Sequence, residues 1–473
     1  MGPEPNTLPK VQTAPNLLGP IQTALGQIAE LLGSDSALRE HFSSGAFTRC
    51  GVINPAQLLV NDLLNFGQSA AGGARSLRDD FGVVTPEAVR PLTAVSPSAI
   101  TQARQKIKPS VWLQINRIVL EAFKECPGLR TFKGRRVVAA DGTIVWSNSL
   151  ISKSFEVNLK PDQKARLAIR KAKKGAYYEQ LQMLMLYDPL NQIHLGHAVE
   201  LQIVSERELL LHLLDHLEPG QLALLDRGYP AAWLFVELQR RGLEYLSRLR
   251  HDHSIDVEAF VASGESDKWL ELPIVAASKN KLKELGIPMP ESRSVRVRVV
   301  RIRDDEGKDQ LFVTSLNEAE ASATELTELY NRRWEIEKEI CTFKQPLVLE
   351  GWRGFSEQGI HYDLGAKAVA YNLARLLSWP VSQEFSGMKL SGSGFKKVVC
   401  TTRALGELKP TLLPILRTIV GGRPQELSPA QLLQRFQNEV RHKASVIDPK
   451  RKRPLGKNRH KPDRRVLSQR KAA

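Results

Sequence analysis

Six residues of this sequence are of types that could carry chemistry: Asp141, Asp226, Tyr330, Arg333, Glu337 and Lys344. The last four lie in "YNRRWEIEKEICTFK", Tyr330 to Lys344, which reads as one helix. Projected at about 100° per residue from Tyr330, Arg333, Glu337 and Lys344 fall at roughly −60°, −20° and −40°. One narrow strip thus carries a hydroxyl, two cations and a carboxylate. Beside it runs an apolar strip of Leu329, Ile336, Ile340 and Phe343, at roughly −80° to −140°, which predicts a buried face. Asp141 in "VVAADGT" and Asp226 in "LALLDRGY" each follow small or apolar residues and precede a glycine suited to a tight turn. Each is expected as a carboxylate at the C-terminal edge of a sheet. Such carboxylates bind hard divalent cations, which take oxygen ligands and share them with substrate phosphate. Two ions flanking a scissile phosphate stabilise both oxygens of an in-line displacement, and the strip's cations would hold phosphates. Spacing alone leaves another reading open. The aspartates also suit turns or helix caps, and Arg333 with Glu337 an i, i+4 surface pair worth ~0.3–0.5 kcal/mol.

The elements that must position these residues can be read along the chain. Up to about residue 130 the apolar spacing is helical, with Asn54-Pro55 and Ser96-Pro97 as cap-and-start pairs. At Arg135 the pattern changes. "RRVVAADGT" reads as a short buried strand running into a turn, and "YYEQLQMLMLYD" and "QIHLGHAVE" as an antiparallel pair. A helix, the strand of Asp226, a second helix and the strand "LEYLSRLR" follow, giving an α/β mixed sheet. From 251 to 310 the chain reads as a β-rich insertion. In it Val295, Val297 and Val299 alternate with Arg296 and Arg298, which predicts a half-buried strand with solvated arginines. "GIHYDLGAKAVAYNLARLLSW" is apolar nearly all round and is expected to be buried, with further helices to about 440.

Composition is that of a globular protein, with 42% hydrophobic and 25% charged residues. The net charge of +16 is uneven: residues 441–473 carry 13 Lys and Arg against two Asp, and the other 440 residues only +5. Such a basic block is expected to be disordered and to bind polyanions by counterion release. Cys50, Cys126, Cys341 and Cys400 show no C-x-x-C spacing, which argues against a thiolate zinc site or a disulfide framework. With no signal peptide and no long apolar run, a soluble intracellular protein is expected.

The spacing Tyr330-x2-Arg333-x3-Glu337-x6-Lys344 resembles the full YREK signature of DDE-type transposases of bacterial insertion sequences, in the insertion sequence four family. Asp141-Gly-Thr and Asp226-Arg-Gly-Tyr resemble that family's two aspartate motifs, and "SPSAITQARQKI" a segment of its N-terminal region; the likeness spans about residues 90 to 385. It implies an RNase H-like mixed-sheet catalytic core, interrupted by the β-rich insertion and flanked by all-helical N- and C-terminal regions. Residues 1–130 would then bind DNA, 131–250 and 311–385 form the core, 386–440 give C-terminal helices, and 441–473 remain a tail. Asp141, Asp226 and Glu337 would be the catalytic, metal-binding triad for two Mg2+ ions, with Mn2+ able to substitute. Tyr330, Arg333 and Lys344 would contact DNA phosphates. Implied partners are double-stranded DNA, as transposon ends and target, and a second copy in the DNA complex, with no membrane. The implied location is the cytoplasm, at the bacterial nucleoid. An aromatic of the insertion can hold a displaced base in such relatives. Trp269 and Phe312 are the candidates, both also readable as core, and core is the better reading for Phe312. His251 and His253 suit a solvated loop as well as a metal pair, and Trp146 suits packing. A domesticated DNA-binding protein and an RNase H-like nuclease without strand transfer are the rival classes; intact carboxylates speak against the first and the Tyr-Arg-Lys strip against the second.

Overall fold

The computed structural model describes residues 17–48, 53–81, 95–172, 179–303, 307–386, 396–421 and 427–447. The N-terminal part is helical, as expected: α1 (Gly19–Gly33), α2 (Asp35–Arg39), α3 (Pro55–Leu64), α4 (Ala70–Phe81), α5 (Pro97–Gln105) and α6 (Ser110–Lys124). The two cap-and-start pairs do what their chemistry suggests. Asn54 accepts from the amides of Ala56 and Gln57 at the head of α3, and Ser96 from Ala99 at the head of α5.

The middle of the chain builds an eight-stranded sheet. Its elements are β1 (Val137–Trp146), α7 (Ser149–Glu156), α8 (Pro161–Ala172), β2 (Gln180–Asp188), β3 (Ile193–Leu201), α9 (Glu206–Leu213), β4 (Leu222–Leu225), α10 (Ala232–Arg240) and β5 (Glu244–Leu249). Then come α11 (Ile255–Ser263), β6 (Asp267–Pro273), α12 (Ala276–Glu284), β7 (Ser294–Arg303) and β8 (Asp309–Thr314). The strand order is β3-β2-β1-β4-β5-β8-β7-β6. β1, β4 and β5 are mutually parallel; β2 and β3 add an antiparallel hairpin. This is the RNase H-like, mixed-sheet core that the family resemblance implied. Covered on both faces, β4 is apolar at every position, "LALL".

The β-rich segment is not a separate body. β8 pairs antiparallel with core strand β5, so β8, β7 and β6 prolong the same sheet. The reading of β7 as a strand with solvated arginines fails at Arg298. That side chain is 1% exposed, ion-paired with Asp267 and bonded to the carbonyls of Leu316 and Ala321. Arg296 stays exposed as expected, but the interior strand β7 is covered at Arg298, and a buried guanidinium must find partners.

The chain continues through α13 (Ala323–Asn331), a 3-10 turn at Arg332–Trp334 and α14 (Glu335–Lys344). The single helix expected from 330 to 344 is therefore two, joined by a tighter turn. α15 (Glu357–Leu377), α16 (Trp379–Ser386), β9 (Lys396–Val398), α17 (Thr401–Ile419), α18 (Pro429–His442) and β10 (Ser445–Ile447) complete it. As expected, α15 is buried nearly all round. It is the spine between the N-terminal helices and the sheet, and Gly365 lets α6 close on it: a Cβ there would stand 2.6 Å from Trp112. The C-terminal part is not wholly helical, since β9 and β10 form a two-stranded ribbon. Residues 441–447, read as the start of a disordered tail, end α18 and form β10; 448–473 lie outside the described residues, as does Cys50. No helix among the described residues is long and apolar enough to cross a membrane.

Candidate active site

β1, β4 and α14 converge on one point. β1 and β4 run parallel with Ala139 opposite Leu224. Asp141 and Asp226 each stand two residues further on, so they share a level on strands about 4.8 Å apart. Asp226 follows the last residue of β4 as expected, and its Oδ1 accepts from the Gly228 amide at 2.6 Å. Asp141 does not end its strand. β1 continues to Trp146, with Asp141 opposite Met185, because the β2 hairpin strand goes on pairing beyond the point where β4 stops.

α14 lies along β1. Arg333 Nη1 donates to Asp141 Oδ2 at 3.2 Å and Nη2 to Glu337 Oε1 at 3.4 Å. At the other end Lys344 Nζ donates to the Ile144 carbonyl at 3.1 Å. Arg333 and Lys344 thus hold this segment against β1 at two points. The apolar strip behaves as predicted, with Leu329, Ile336, Ile340 and Phe343 all buried. Glu339 adds an anchor that the sequence did not reveal: its carboxyl meets His194 Nδ1 of β3 at 2.8 Å. Burial lifts the carboxyl and lowers the imidazole, which favours the neutral form of each partner.

Electrostatically the centre is short of positive charge. Burial raises Asp141 above the usual carboxylate range; Arg333 opposes that rise and Asp226 adds to it. Glu337 is raised by burial too, with Arg333 opposing and Asp141 and Asp226 reinforcing. Burial works against the Arg333 cation, but Tyr330 and the three carboxylates hold it charged. Tyr330 is pushed up to about 12 by burial and stays a neutral donor, its ring edge-on to Phe312. The ammonium of Lys344 is lowered by burial. Tyr330 and Arg333 are thus largely covered, and Glu337, with 42% of its side chain exposed, is more open than Asp141, with 18%.

Around this point stand groups that sequence reasoning missed. Glu206 opens α9 and accepts from Gln182 and Tyr229. Arg248 on β5 acts on Tyr330, and its buried Nε has no hydrogen-bond partner among the described residues. Neither carried a signal: "SERE" looks like an ordinary capping box, and Arg248 like any polar residue on a strand. Other candidates resolve plainly. Phe312 is 1% exposed and belongs to the core. Trp269 on β6 is half-buried under the Arg296 guanidinium, 4.9 Å from its ring. His251 and His253 occupy the turn after β5 and join no ligating cluster among the described residues. Trp146 packs at the end of β1, its carbonyl held by Trp352.

A family model described as the transposase DDE domain matches residues 133–373. The chain belongs to that family. It is also similar to "Transposase InsG for insertion sequence element IS4" of Escherichia coli (strain K12), with 23% identity over 305 residues. That match covers 62% of this chain and 63% of the relative, so the chain spans less than two thirds of the curated relative's length. The transposase DDE domain brackets β1 to α15 and hence all six residues of the expected site. Such domains generally use divalent metal ions, and the donors present suit one: three carboxylates supply hard oxygen ligands, and each is electrostatically linked to the others. Among the described residues no three such groups already stand as a ligand shell. The Arg333 guanidinium bridges two of them instead.

Proposed function

We propose that the chain is a DNA transposase that binds the terminal inverted repeats of its insertion sequence and moves it by metal-dependent cut and paste. The observation that supports this reading is the single guanidinium of Arg333 between Asp141 and Glu337, at 3.2 and 3.4 Å. In this reading Asp141, Asp226 and Glu337 hold two Mg2+, with Mn2+ able to substitute. When bound, the ions supply Lewis acidity and a water acidic enough to attack at neutral pH. Arg333, released from the carboxylates by that added charge, turns its fork of donors to a DNA phosphate. Lys344 keeps two N–H donors beyond its bond to Ile144, and Tyr330 offers its hydroxyl, so both can hold the same backbone.

The reaction then trades one P–O bond for another at every step. Water opens a strand at the transposon end and frees a 3′-OH. That hydroxyl attacks the opposite strand to close a hairpin, water reopens it, and the 3′ ends attack target DNA. No covalent protein intermediate is needed. Residues 1–130 would bind DNA, the sheet and α14 would do the chemistry, and the last helices would pair two copies across two ends. The protein would work in the cytoplasm on nucleoid DNA. The test incubates purified protein and Mg2+ with a DNA fragment carrying an end of the flanking element. Cleavage and joining, both lost in Glu337→Gln, are expected. Nicking without joining would leave a nuclease, and binding without cleavage a non-catalytic DNA-binding protein.

A further inference from the structure

Glu206 has no place in the triad, yet three contacts tie it to the same point. It is the first residue of α9, directly after the N-cap Ser205. Gln182 Nε2 donates to its Oε1 at 3.0 Å, and the Tyr229 hydroxyl to its Oε2 at 3.2 Å. The next residue, Arg207, donates to the carbonyls of Gly228, at 2.9 and 2.6 Å, and Pro230, at 3.4 Å. The first turn of α9 therefore grips the turn that begins at Asp226. Finally, the carboxylate lies against β1 beside Asp141: a Cβ on Gly142 would stand 2.2 Å from Glu206 Oε1. Gly142 is within a regular strand, so glycine supplies space here and not an unusual backbone angle. Successive strand residues face opposite sides, so Glu206 reaches the centre across β1 through the gap that Gly142 leaves.

A half-buried carboxylate held by two neutral donors and facing other carboxylates is poorly placed for stability. Several buried acids elsewhere in this protein pair with Arg or Lys, as Asp62 does with Arg104 and Asp363 with Lys367 at 2.6 Å. No such pair forms at Glu206 among the described residues. We infer that Glu206 is a fourth acidic member of the catalytic centre, a positioning residue that locks the Asp226 turn to β1 and adds its charge to the field drawing a divalent cation to Asp141 and Asp226. The inference rests on the transposase reading of that centre and gives it one more residue.

The test is Mn2+ binding by the full chain, followed by electron paramagnetic resonance of the free ion, with melting curves as a check on folding. Glu206→Gln keeps shape and one acceptor but removes the charge, and should weaken Mn2+ binding on the order of tenfold or more. Gly142→Ala, which pushes the carboxylate off β1, should weaken it similarly, and Tyr229→Phe less, since the charge remains. Raised Mg2+ should restore strand cleavage to Glu206→Gln but not to Glu337→Gln, a split that a purely structural role would not produce. Mn2+ affinity within twofold of wild type in Glu206→Gln, with Glu337→Gln impaired, overturns the inference and leaves the triad standing. Wild-type affinity in Glu337→Gln overturns the reading of the centre and this inference with it. Should Glu206→Gln not fold, unchanged affinity in both Gly142→Ala and Tyr229→Phe decides against it.

Discussion

Where α3 and α5 meet α15, Asp62 accepts from Arg104 at 2.8 and 2.5 Å and from the Tyr362 hydroxyl at 3.0 Å. Beside it Asp363 pairs with Arg353 and, at 2.6 Å, with Lys367. At the proposed catalytic centre, by contrast, one guanidinium, that of Arg333, bridges Asp141 and Glu337, and Asp226 forms no ion pair among the described residues. Burial alone would raise every one of these acids. At the first cluster Arg104, Arg353 and Lys367 reverse that, carrying Asp62 and Asp363 below the usual carboxylate range. At the second, Arg333 falls short, and Asp141 and Glu337 end above it.

The difference separates two uses of buried charge. The first cluster is closed: three cations meet two carboxylates, and the surplus ammonium of Lys367 donates to the carbonyls of Val348 and Leu349. It welds the N-terminal helices to α15. The second is open and holds its acids at a loss, as sites awaiting a charged ligand do. Breaking each cluster should therefore damage a different property.

The largest effect is expected from Glu337→Gln. Removing an essential catalytic group commonly lowers turnover by ~10⁴-fold or more, about 5.5 kcal/mol on the barrier. Its melting temperature should stay level or rise slightly, because a strained charge has been removed. Next comes Asp62→Asn, which strands Arg104 in the interior. Breaking one side of a buried pair costs about 3–5 kcal/mol, readable by urea unfolding, with any surviving folded protein still competent for Mn2+ binding. A loss of stability in the first variant, or of Mn2+ binding alone in the second, would collapse the distinction.

The two clusters were not equally legible. Asp226 and Glu337 could be placed from sequence because a strand end and a helix face have simple periods. Asp141 was identified but misplaced, since what extends β1 past it is pairing with β2, a long-range event that no local pattern encodes. The break at Arg332–Trp334 was invisible in a sequence that suits a continuous helix. Asp62, Arg104, Asp363 and Lys367 looked like ordinary polar positions on three separate stretches, the last two on one helix. Only the packing of α3 and α5 on α15 shows that they are partners, and the same holds for Glu206 and Arg298.

Acid titration should separate the clusters by a smaller amount. Asp62 and Asp363 are depressed, so their stabilisation is present above the unfolded value of about 3.9 and is lost as pH falls through the folded values below it. Asp141 and Glu337 are raised, so they protonate first as pH falls, and their mutual repulsion is then relieved. Mg2+ at a hundredfold its dissociation constant should stabilise the protein by about 2.7 kcal/mol near neutral pH. That increment should fade as Asp141 and Glu337 protonate, at a higher pH than ordinary carboxylates do, while stability without metal holds or rises until pH ~3.9. Melting curves with and without Mg2+ across this range check it, and simultaneous loss of both would contradict the assigned directions.

The smallest effect belongs to a pair whose geometry matches the best of the closed cluster. On α14 itself Lys338 Nζ stands 2.5 Å from Glu335 Oε1, as near as Arg104 to Asp62. But 49% of the lysine side chain is exposed, against 7% of Arg104. Water and salt screen the exposed contact, and freezing two side chains offsets much of its attraction. Lys338→Ala should therefore change stability by only ~0.3–0.5 kcal/mol in urea unfolding, with the difference vanishing in 1 M salt. Mn2+ binding should not move, because Lys338 and Glu335 project from α14 away from the face that carries Glu337. A loss of several kcal/mol here would mean that distance, and not desolvation, governs ion pairs in this fold, and the contrast between the two clusters would lose its cause.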